Sequence, residues 1–113
     1  MARRRIGPAT IEVLQDIADG RRYGFDIMEA TGLPGGTVYP ALAALERDGL
    51  VRSDWEDPRI AQADKRPPRR YYEVAPAGES ALRQELERLH RLNGIVDRAE
   101  AATAGQAARP RRA

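Results

Sequence analysis

The hydrophobic pattern of this chain changes its period once, at Gly49, and that change constrains the fold more than any other feature. Before Gly49, three segments repeat apolar residues every three or four positions, as amphipathic helices do. They are residues 8–19, a segment from 23 or 24 to 30, and residues 37–48. After Gly49, residues 50–56 and 70–74 alternate in the manner of strands. From Pro76 onward the helical spacing returns.

Three helices followed by a two-stranded hairpin are the element order of a winged helix-turn-helix. We therefore expect a mainly α fold with a small two-stranded β-wing. We assign residues 1–75 to this domain, residues 76–98 to a C-terminal dimerisation helix and residues 99–113 to a disordered tail. The alternating four- and three-residue spacing in the helix is typical of a coiled-coil seam, although Asn93 and Gly94 could also end the helix. The residues expected to hold a homodimer are Leu82, Leu86, Leu89, Leu92 and Val96.

Length and composition exclude several classes of protein. A chain of 113 residues forms one small domain, and it contains no cysteine for disulfides or thiolate chemistry. No apolar run is long enough to cross a membrane, so we expect a cytoplasmic protein without a membrane partner. His90 is the only histidine, and Glu85 and Glu87 lie on different sides of one predicted helix. We therefore expect no catalytic residues, no metal and no cofactor, and the chain is not predicted to be an enzyme.

The positive charge is concentrated in three places. Of nineteen basic residues, six lie at the two ends of the chain, and without them thirteen basic residues face seventeen acidic ones. The third concentration is the segment 57–69 between the two strands, which contains three prolines and which we expect to be mobile unless something holds it. It is either an ordinary solvated loop or a contact to phosphate. The candidate phosphate contacts at this hairpin are Lys65, Arg66, Arg69 and Arg70.

The third helix is the one that a helix-turn-helix places in the major groove. With Val38, Leu42 and Leu45 inward, its outward arc and the edge of that arc contain Gly36, Thr37, Tyr39, Pro40, Ala43 and Arg47. Thr37 and Tyr39 are the candidates for reading bases and positioning phosphates. Each has an alternative role: Thr37 as the N-cap of its helix, with Pro40 then near the first turn, and Tyr39 as a ring packed toward the second helix.

Five runs together resemble the PadR family of bacterial transcriptional regulators. They are YGFDI at 23–27, GTVYPAL at 36–42, LERDGLV at 45–51, RRYYEV at 69–74 and PAG at 76–78. The similarity covers about residues 8 to 90 and implies a dimer whose C-terminal helix exchanges contacts with its partner. It also implies repression relieved by a small ligand. The single short terminal helix is similar to the compact branch of the family.

Three positions differ from many relatives. Ala43 and Ala44 stand where basic residues are frequent, which shifts the expected phosphate contacts toward the loop. Ala75 stands where threonine is common before Pro76, and no aromatic residue follows Tyr72. Trp55 is the candidate wall of an effector pocket at the dimer interface. The sequence thus predicts a homodimeric regulator, a ligand-responsive repressor that binds double-stranded DNA at a pseudo-palindromic operator. The alternative is a winged-helix domain that binds another protein and not DNA.

Overall fold

The computed structural model describes residues 6–108. Its elements in chain order are α1 (Pro8–Ala18), α2 (Gly24–Thr31), α3 (Gly35–Arg47), β1 (Val51–Trp55), α4 (Pro58–Ala63), β2 (Arg70–Val74) and α5 (Pro76–Ala108). The chain divides into one unit that ends at Leu82 and a second that begins at Arg83. The terminal arginines at 3–5, 109, 111 and 112 lie outside the described residues.

The first unit is built around the apolar stripes of α1, α2 and α3. α1 begins with Pro8 in its first turn, where a missing N–H costs no hydrogen bond. α3 ends before Gly49, whose φ of 74° is a left-handed conformation that favours glycine. The Leu50 N–H then donates to the Leu45 carbonyl at 2.9 Å and closes the helix end. The largest fully buried side chains are Leu14, Ile27, Leu42, Leu45, Leu50, Val13, Val38 and Val51.

The two strands form an antiparallel hairpin, the wing of the predicted fold. The register runs from Val51 opposite Val74 to Trp55 opposite Arg70. The predicted strands are confirmed, the first to within one residue at each end. The Tyr72 N–H also donates to the Arg22 carbonyl at 2.7 Å, which ties the wing to the segment between α1 and α2. The predicted fold class, mainly helical with a two-stranded wing, is confirmed.

The structure corrects the loop expected between the strands and the start of α3 expected at residue 37, and it excludes the alternative in which Thr37 is the N-cap. The segment between the strands is not a plain loop, because it contains α4, with Asp57 accepting a hydrogen bond from the Arg59 N–H at 2.9 Å as the N-cap. α3 begins at Gly35 with Pro34 as its N-cap, so Thr37 is the third helical residue and not the cap. Pro40 then lies inside the helix, beyond the first turn, and the helix forgoes one backbone hydrogen bond there.

The last helix is longer than predicted. α5 passes through Asn93 and Gly94 and continues to Ala108, whereas the sequence pattern predicts an end at residue 98. The disordered tail predicted over 99–113 is therefore wrong for residues 99–108, and residues 109–113 lie outside the described residues. Alanine has the highest intrinsic helix propensity, so this alanine-rich segment is helical without an apolar stripe. Leu82, expected in the dimer seam, is 7% exposed and belongs to the core of the first unit. No helix among residues 6–108 is long and apolar enough to cross a membrane.

Candidate nucleic-acid interface

The outward face of α3 is formed by the residues that the helical spacing of the sequence predicts to face away from the core. Val38, Ala41, Leu42 and Leu45 are buried. Thr37, at the edge of the arc, is half-buried. The exposed residues of the helix are Gly36, Tyr39, Pro40, Ala43 and Arg47. The helix therefore presents a face with one large aromatic side chain near its N-terminal end and one guanidinium at its last residue. That guanidinium lies 3.4 Å from the exposed Asp48 carboxylate, a pair that solvent weakens.

Tyr39 combines the two roles that its position allows. Its side chain is 53% exposed, yet its ring lies so close to Gly24 at the start of α2 that a methyl group there would be 2.5 Å from Cε1. Gly35 is also in reach, since a methyl group on it would be 3.5 Å from the ring. The Cε1 edge and the hydroxyl end of the ring therefore pack toward Gly24 at the start of α2, and about half of the side chain remains exposed.

The wing is fixed by an ion pair between Arg66 and Glu56. The Arg66 guanidinium donates to both Glu56 carboxylate oxygens, Nη1 at 2.6 Å and Nη2 at 2.8 Å, and the Glu56 side chain is 6% exposed. The Arg69 N–H and the Tyr71 hydroxyl, each at 3.3 Å, also donate to this carboxylate. The Arg66 hydrogen bonds, aided by these two donors, lower the pKa of Glu56 to about 2, and the carboxylate raises the pKa of Arg66.

This arrangement changes the expectation for Arg66. Its guanidinium points back into the wing and is bound bidentately, the strongest geometry for such a pair. Releasing it to a DNA phosphate would leave Glu56 shielded from water and without its main partner. We therefore interpret Arg66 as a residue that shapes the wing.

The other basic residues of the wing fall into two groups. The first group is paired: Arg52 lies 3.5 Å from Glu73 across the hairpin, and Arg59 pairs with Asp57 at 2.9 Å. Arg70 lies 3.4 Å from the Glu46 carboxylate of α3, which also accepts a hydrogen bond from Ser53. For the second group the structure gives no such pair: no carboxylate among residues 6–108 lies within 4 Å of the charged nitrogens of Lys65 or Arg69. These two cations remain available to an external anion.

Lys65 and Arg69 are held in different ways. Lys65 is exposed and follows α4 with φ of 55°, a left-handed conformation that directs the chain out of the helix. The Arg69 guanidinium lies 4.2 Å above the centre of the Tyr23 ring, a cation–π contact that limits its motion and leaves its N–H donors free of carboxylates. Tyr23 in turn packs edge-on against Tyr71, with ring centres 5.8 Å apart.

A cleft of about 690 Å³ lies between the start of α2, α3 and the wing. Its aromatic lining comes from all three places: Tyr23 and Phe25, Tyr39, and Trp55 with Tyr72. Arg70 stacks over Trp55 at 5.2 Å. Burial raises the pKa of the Tyr72 hydroxyl, which therefore stays protonated. The predicted effector residue Trp55 is 61% exposed and faces this cleft within the first unit.

The part of α5 in the second unit carries an exposed apolar stripe. Leu86, Leu89, Leu92 and Val96 are between 38% and 51% exposed, and Ile95, which the four- and three-residue spacing does not include, is 54% exposed. Arg88 pairs with Glu85 at 3.1 Å beside it. Apolar side chains at this spacing on one helix are typical of a helix that packs against another.

Comparison with known families agrees with this arrangement. A family model described as the transcriptional regulator PadR-like family matches residues 13–84, which is more than half of the chain. The chain belongs to the PadR-like family of transcriptional regulators. The matched region begins in α1 and extends through the wing into the first turns of α5. A comparison with curated proteins found no match.

Solved structures of transcriptional regulators and of a DNA-binding protein share the fold, and PadR regulators are among them. A PadR family transcription regulator from Clostridium difficile superposes with a TM-score of 0.72 at 20% identity, over 81% of this chain and 97% of its own. A PadR-like transcription factor from Bacteroides fragilis has a TM-score of 0.67 at 25% identity, over 80% and 87%. Bordetella bronchiseptica BpsR, solved in a study of the regulation of its DNA binding by 6-hydroxynicotinic acid, has a TM-score of 0.65 at 19% identity, over 84% and 67%.

Sequence reasoning missed the acidic partners of the PadR wing. Glu56 could have been found, because the predicted first strand ends at this residue and therefore places it beside the basic segment of the hairpin. In the structure the Glu56 N–H donates to the Arg69 carbonyl at 2.8 Å. Glu46 gave no comparable signal, since it meets Arg70 only after α3 packs against the wing. The sequence analysis also missed Gly24. The absence of a side chain there allows the Tyr39 ring to pack against the start of α2.

Proposed function

We propose that this PadR-family chain is a homodimeric, sequence-specific repressor that inserts α3 into the major groove and places its wing beside it. The observation that carries the proposal is the exposed Tyr39 face of α3, braced through Glu46 to a wing that holds two cations without carboxylate partners. Tyr39 supplies a ring and a hydroxyl to the DNA, and Thr37 a hydroxyl and a methyl group. Lys65 and Arg69 supply phosphate contacts.

The exposed stripe of α5 supports the dimer. Two copies that bring Leu86, Leu89, Leu92 and Val96 together would remove these side chains from water, and burying a leucine contributes roughly 1.5–3 kcal/mol. A two-fold dimer of helix-turn-helix domains reads a pseudo-palindromic operator with half-sites about 10 base pairs apart, or a multiple of that spacing. A response to a small molecule is the further part of the proposal, supported by BpsR, whose DNA binding is regulated by 6-hydroxynicotinic acid.

Selection of bound duplexes from a random pool tests DNA binding and symmetry together. We expect inverted repeats with a fixed spacing. Tyr39→Ala should remove the preference for the selected duplex, while helicity and dimer mass stay unchanged. A chain that binds another protein instead of DNA would recover no common sequence at physiological salt, and that result would refute the proposal.

The charge assignment is tested by salt dependence. Lys65→Gln combined with Arg69→Gln should flatten the log–log slope of affinity against salt by about 0.9 for each phosphate that the variant no longer neutralises. The matched control is Arg59→Gln, because Arg59 also lies between β1 and β2 but its guanidinium is paired with Asp57. Equal slopes for the double variant and the control would contradict the assignment.

The dimer has its own test. Leu86→Asp places a charge in the apolar stripe and should give monomers in sedimentation analysis. Gln84→Asp introduces the same charge at an exposed position outside the stripe and should leave the dimer intact. A dimer mass for Leu86→Asp would remove the stripe from the interface.

A further inference from the structure

The cleft between the start of α2, α3 and the wing groups three large aromatic side chains that are open to solvent. Phe25 is 58%, Tyr39 53% and Trp55 61% exposed, and all three line the same space of about 690 Å³. Soluble proteins rarely leave large apolar groups together on their surface unless a ligand or partner covers them. An occupant of this cleft therefore needs apolar surface that the aromatic side chains can cover.

The charged groups that line the cleft are all positive. The lining includes three arginines and no carboxylate. Arg66 and Arg70 are neutralised by carboxylates outside the cleft. Arg69 has no carboxylate within 4 Å in the described part of the chain, and its stacking on Tyr23 holds the guanidinium at the cleft wall. The occupant therefore also carries negative charge at the point that Arg69 reaches.

The place of the cleft in the DNA complex follows from the proposed function, on which this inference rests. In that complex α3 lies in the major groove, which is about 12 Å wide and admits one helix. A sugar–phosphate strand forms the edge of the groove, and the wing lies beside α3 across that edge. Glu46 holds the two elements together through its contacts with Ser53 and Arg70. The cleft between α3 and the wing therefore faces the strand that borders the groove.

We propose that one sugar–phosphate strand of the DNA duplex passes through this cleft. Its deoxyribose rings pack against Phe25, Tyr39 and Trp55. One of its phosphates binds the Arg69 guanidinium through two parallel hydrogen bonds. Along such a strand, anionic phosphates alternate with sugar rings whose outer surface is mostly C–H, and the cleft offers a cation beside apolar walls that gain from covering such surface. A protein segment with apolar and acidic side chains has similar chemistry, but α3 already brings the DNA strand to the cleft.

The proposal adds Phe25 and Trp55 to the residues that contact DNA, and it gives them a different task from Thr37. Sugars and phosphates are the same at every base pair, so contacts to them position the duplex and carry no sequence information directly. The two aromatic side chains should therefore raise the affinity for all duplexes alike.

Trp55 is the only tryptophan of the chain, so its fluorescence reports on this cleft without labelling. We would measure the quenching of its emission by acrylamide, a neutral quencher, for the full-length protein alone and saturated with a duplex selected from the random pool. The quenching constant should fall about twofold or more, because the strand covers a side chain that is 61% exposed in the free chain. An unchanged quenching constant in the complex would overturn the proposal.

Truncation of the aromatic walls tests the same contact by affinity. Trp55→Ala and Phe25→Ala should each weaken binding to the selected duplex and to a random duplex by the same factor, about fivefold. The matched control is Ile60→Ala, because Ile60 is 54% exposed on α4 but does not line the cleft. It should change either affinity less than about twofold. A loss confined to the selected duplex would mean that the side chain reads a base, and no loss in either variant would mean that no strand covers the walls. Either result would overturn the proposal.

The phosphate contact is located on the DNA. Methylphosphonate substitution removes the charge of one phosphate at a time from the selected duplex. At one position it should cost the native protein about tenfold in affinity, and at that position it should cost Arg69→Gln almost nothing. The absence of any such position would overturn the assignment of Arg69.

The outcomes separate this inference from the proposed function. If the random pool yields no common sequence, the proposed function is refuted and this inference with it. If a selected duplex binds while Trp55 stays as accessible to acrylamide as in the free chain, the proposed function stands and only the strand in the cleft is refuted.

Discussion

Gly24→Ala should displace Tyr39 while leaving the fold about as stable as before. A methyl group at Gly24 would lie 2.5 Å from Cε1 of Tyr39 and 2.9 Å from its hydroxyl oxygen. Non-bonded carbon atoms are at their optimum at about 3.5–4.0 Å, so the ring must move by about 1 Å. The ring is free to move because Tyr39 is 53% exposed.

The size of the effect follows from two opposing contributions. Turning the Tyr39 side chain away from its preferred rotamer costs about 0.5–1.5 kcal/mol. Replacing glycine by alanine in a helix stabilises it by up to about 1 kcal/mol. The free energy of unfolding should therefore rise by at most about 0.5 kcal/mol or fall by at most about 1.5 kcal/mol. If the displaced hydroxyl loses one hydrogen bond to DNA, the affinity for the selected duplex falls by roughly threefold to tenfold.

A double-mutant cycle separates these contributions. Urea denaturation would be measured for Gly24→Ala, Tyr39→Ala and the double variant. Once Tyr39 is truncated, the methyl group at residue 24 meets no ring, so the same substitution should stabilise the protein by about 0.5–1 kcal/mol. Duplex affinity should not fall further in the double variant. Identical effects of Gly24→Ala in both backgrounds would mean that the two residues are not coupled, and would refute the reasoning.

Three further predictions address the wing and the start of α5. Gly78→Ala should destabilise the protein by at least about 2 kcal/mol in urea, because its methyl group would lie 2.0 Å from the Leu50 carbonyl oxygen; stabilisation, usual for this change in helices, would contradict the packing. Glu56→Gln should lower stability at neutral pH. The pKa of Glu56 is lowered from 4.5 to about 2, so the advantage of the native carboxylate is full above pH 4.5 and is lost as the pH falls toward 2. A difference from the Gln variant that is independent of pH would contradict this. Lys65→Gly should relieve the cost of φ 55° and raise the unfolding midpoint slightly while weakening duplex binding; a lower midpoint would show that the conformation is not strained.

The sequence could predict which side of α3 faces outward, because burial alone creates the periodic pattern. Its inward residues Val38, Leu42 and Leu45 are 0–1% exposed, and the opposite arc is exposed. The same periodicity located α2, which in the structure ends at Gly32, a left-handed residue with φ of 75°. Hydrophobic periodicity did not predict α4, because a helix this short does not repeat an apolar position often enough to show a pattern. α4 is six residues long, too short for a stripe, although Asp57 and Pro58 supply a start signal.

Long-range pairing is the part of the site that could not be predicted. The sequence shows that the wing is basic, but which arginine keeps a free guanidinium depends on the strand register and on the packing of α3 against the wing. Arg66 and Arg69 are equivalent candidates in the sequence. In the structure one is enclosed with Glu56 and the other is stacked in the open on Tyr23. Leu82 shows the same limit, since spacing alone cannot separate the last core residue from the first residue of an interface.

The ion pairs of the wing also determine how the remaining charges act. Four of its six cations, Arg52, Arg59, Arg66 and Arg70, are paired with carboxylates, which leaves Lys65 and Arg69 to meet an external anion. In the proposed DNA complex the paired residues would still contribute, because an ordered wing loses less conformational entropy on association than a mobile loop would. The number of basic residues in the sequence therefore overestimates the number of phosphate contacts. It also gives no indication that the ordered wing holds Lys65 and Arg69 in place.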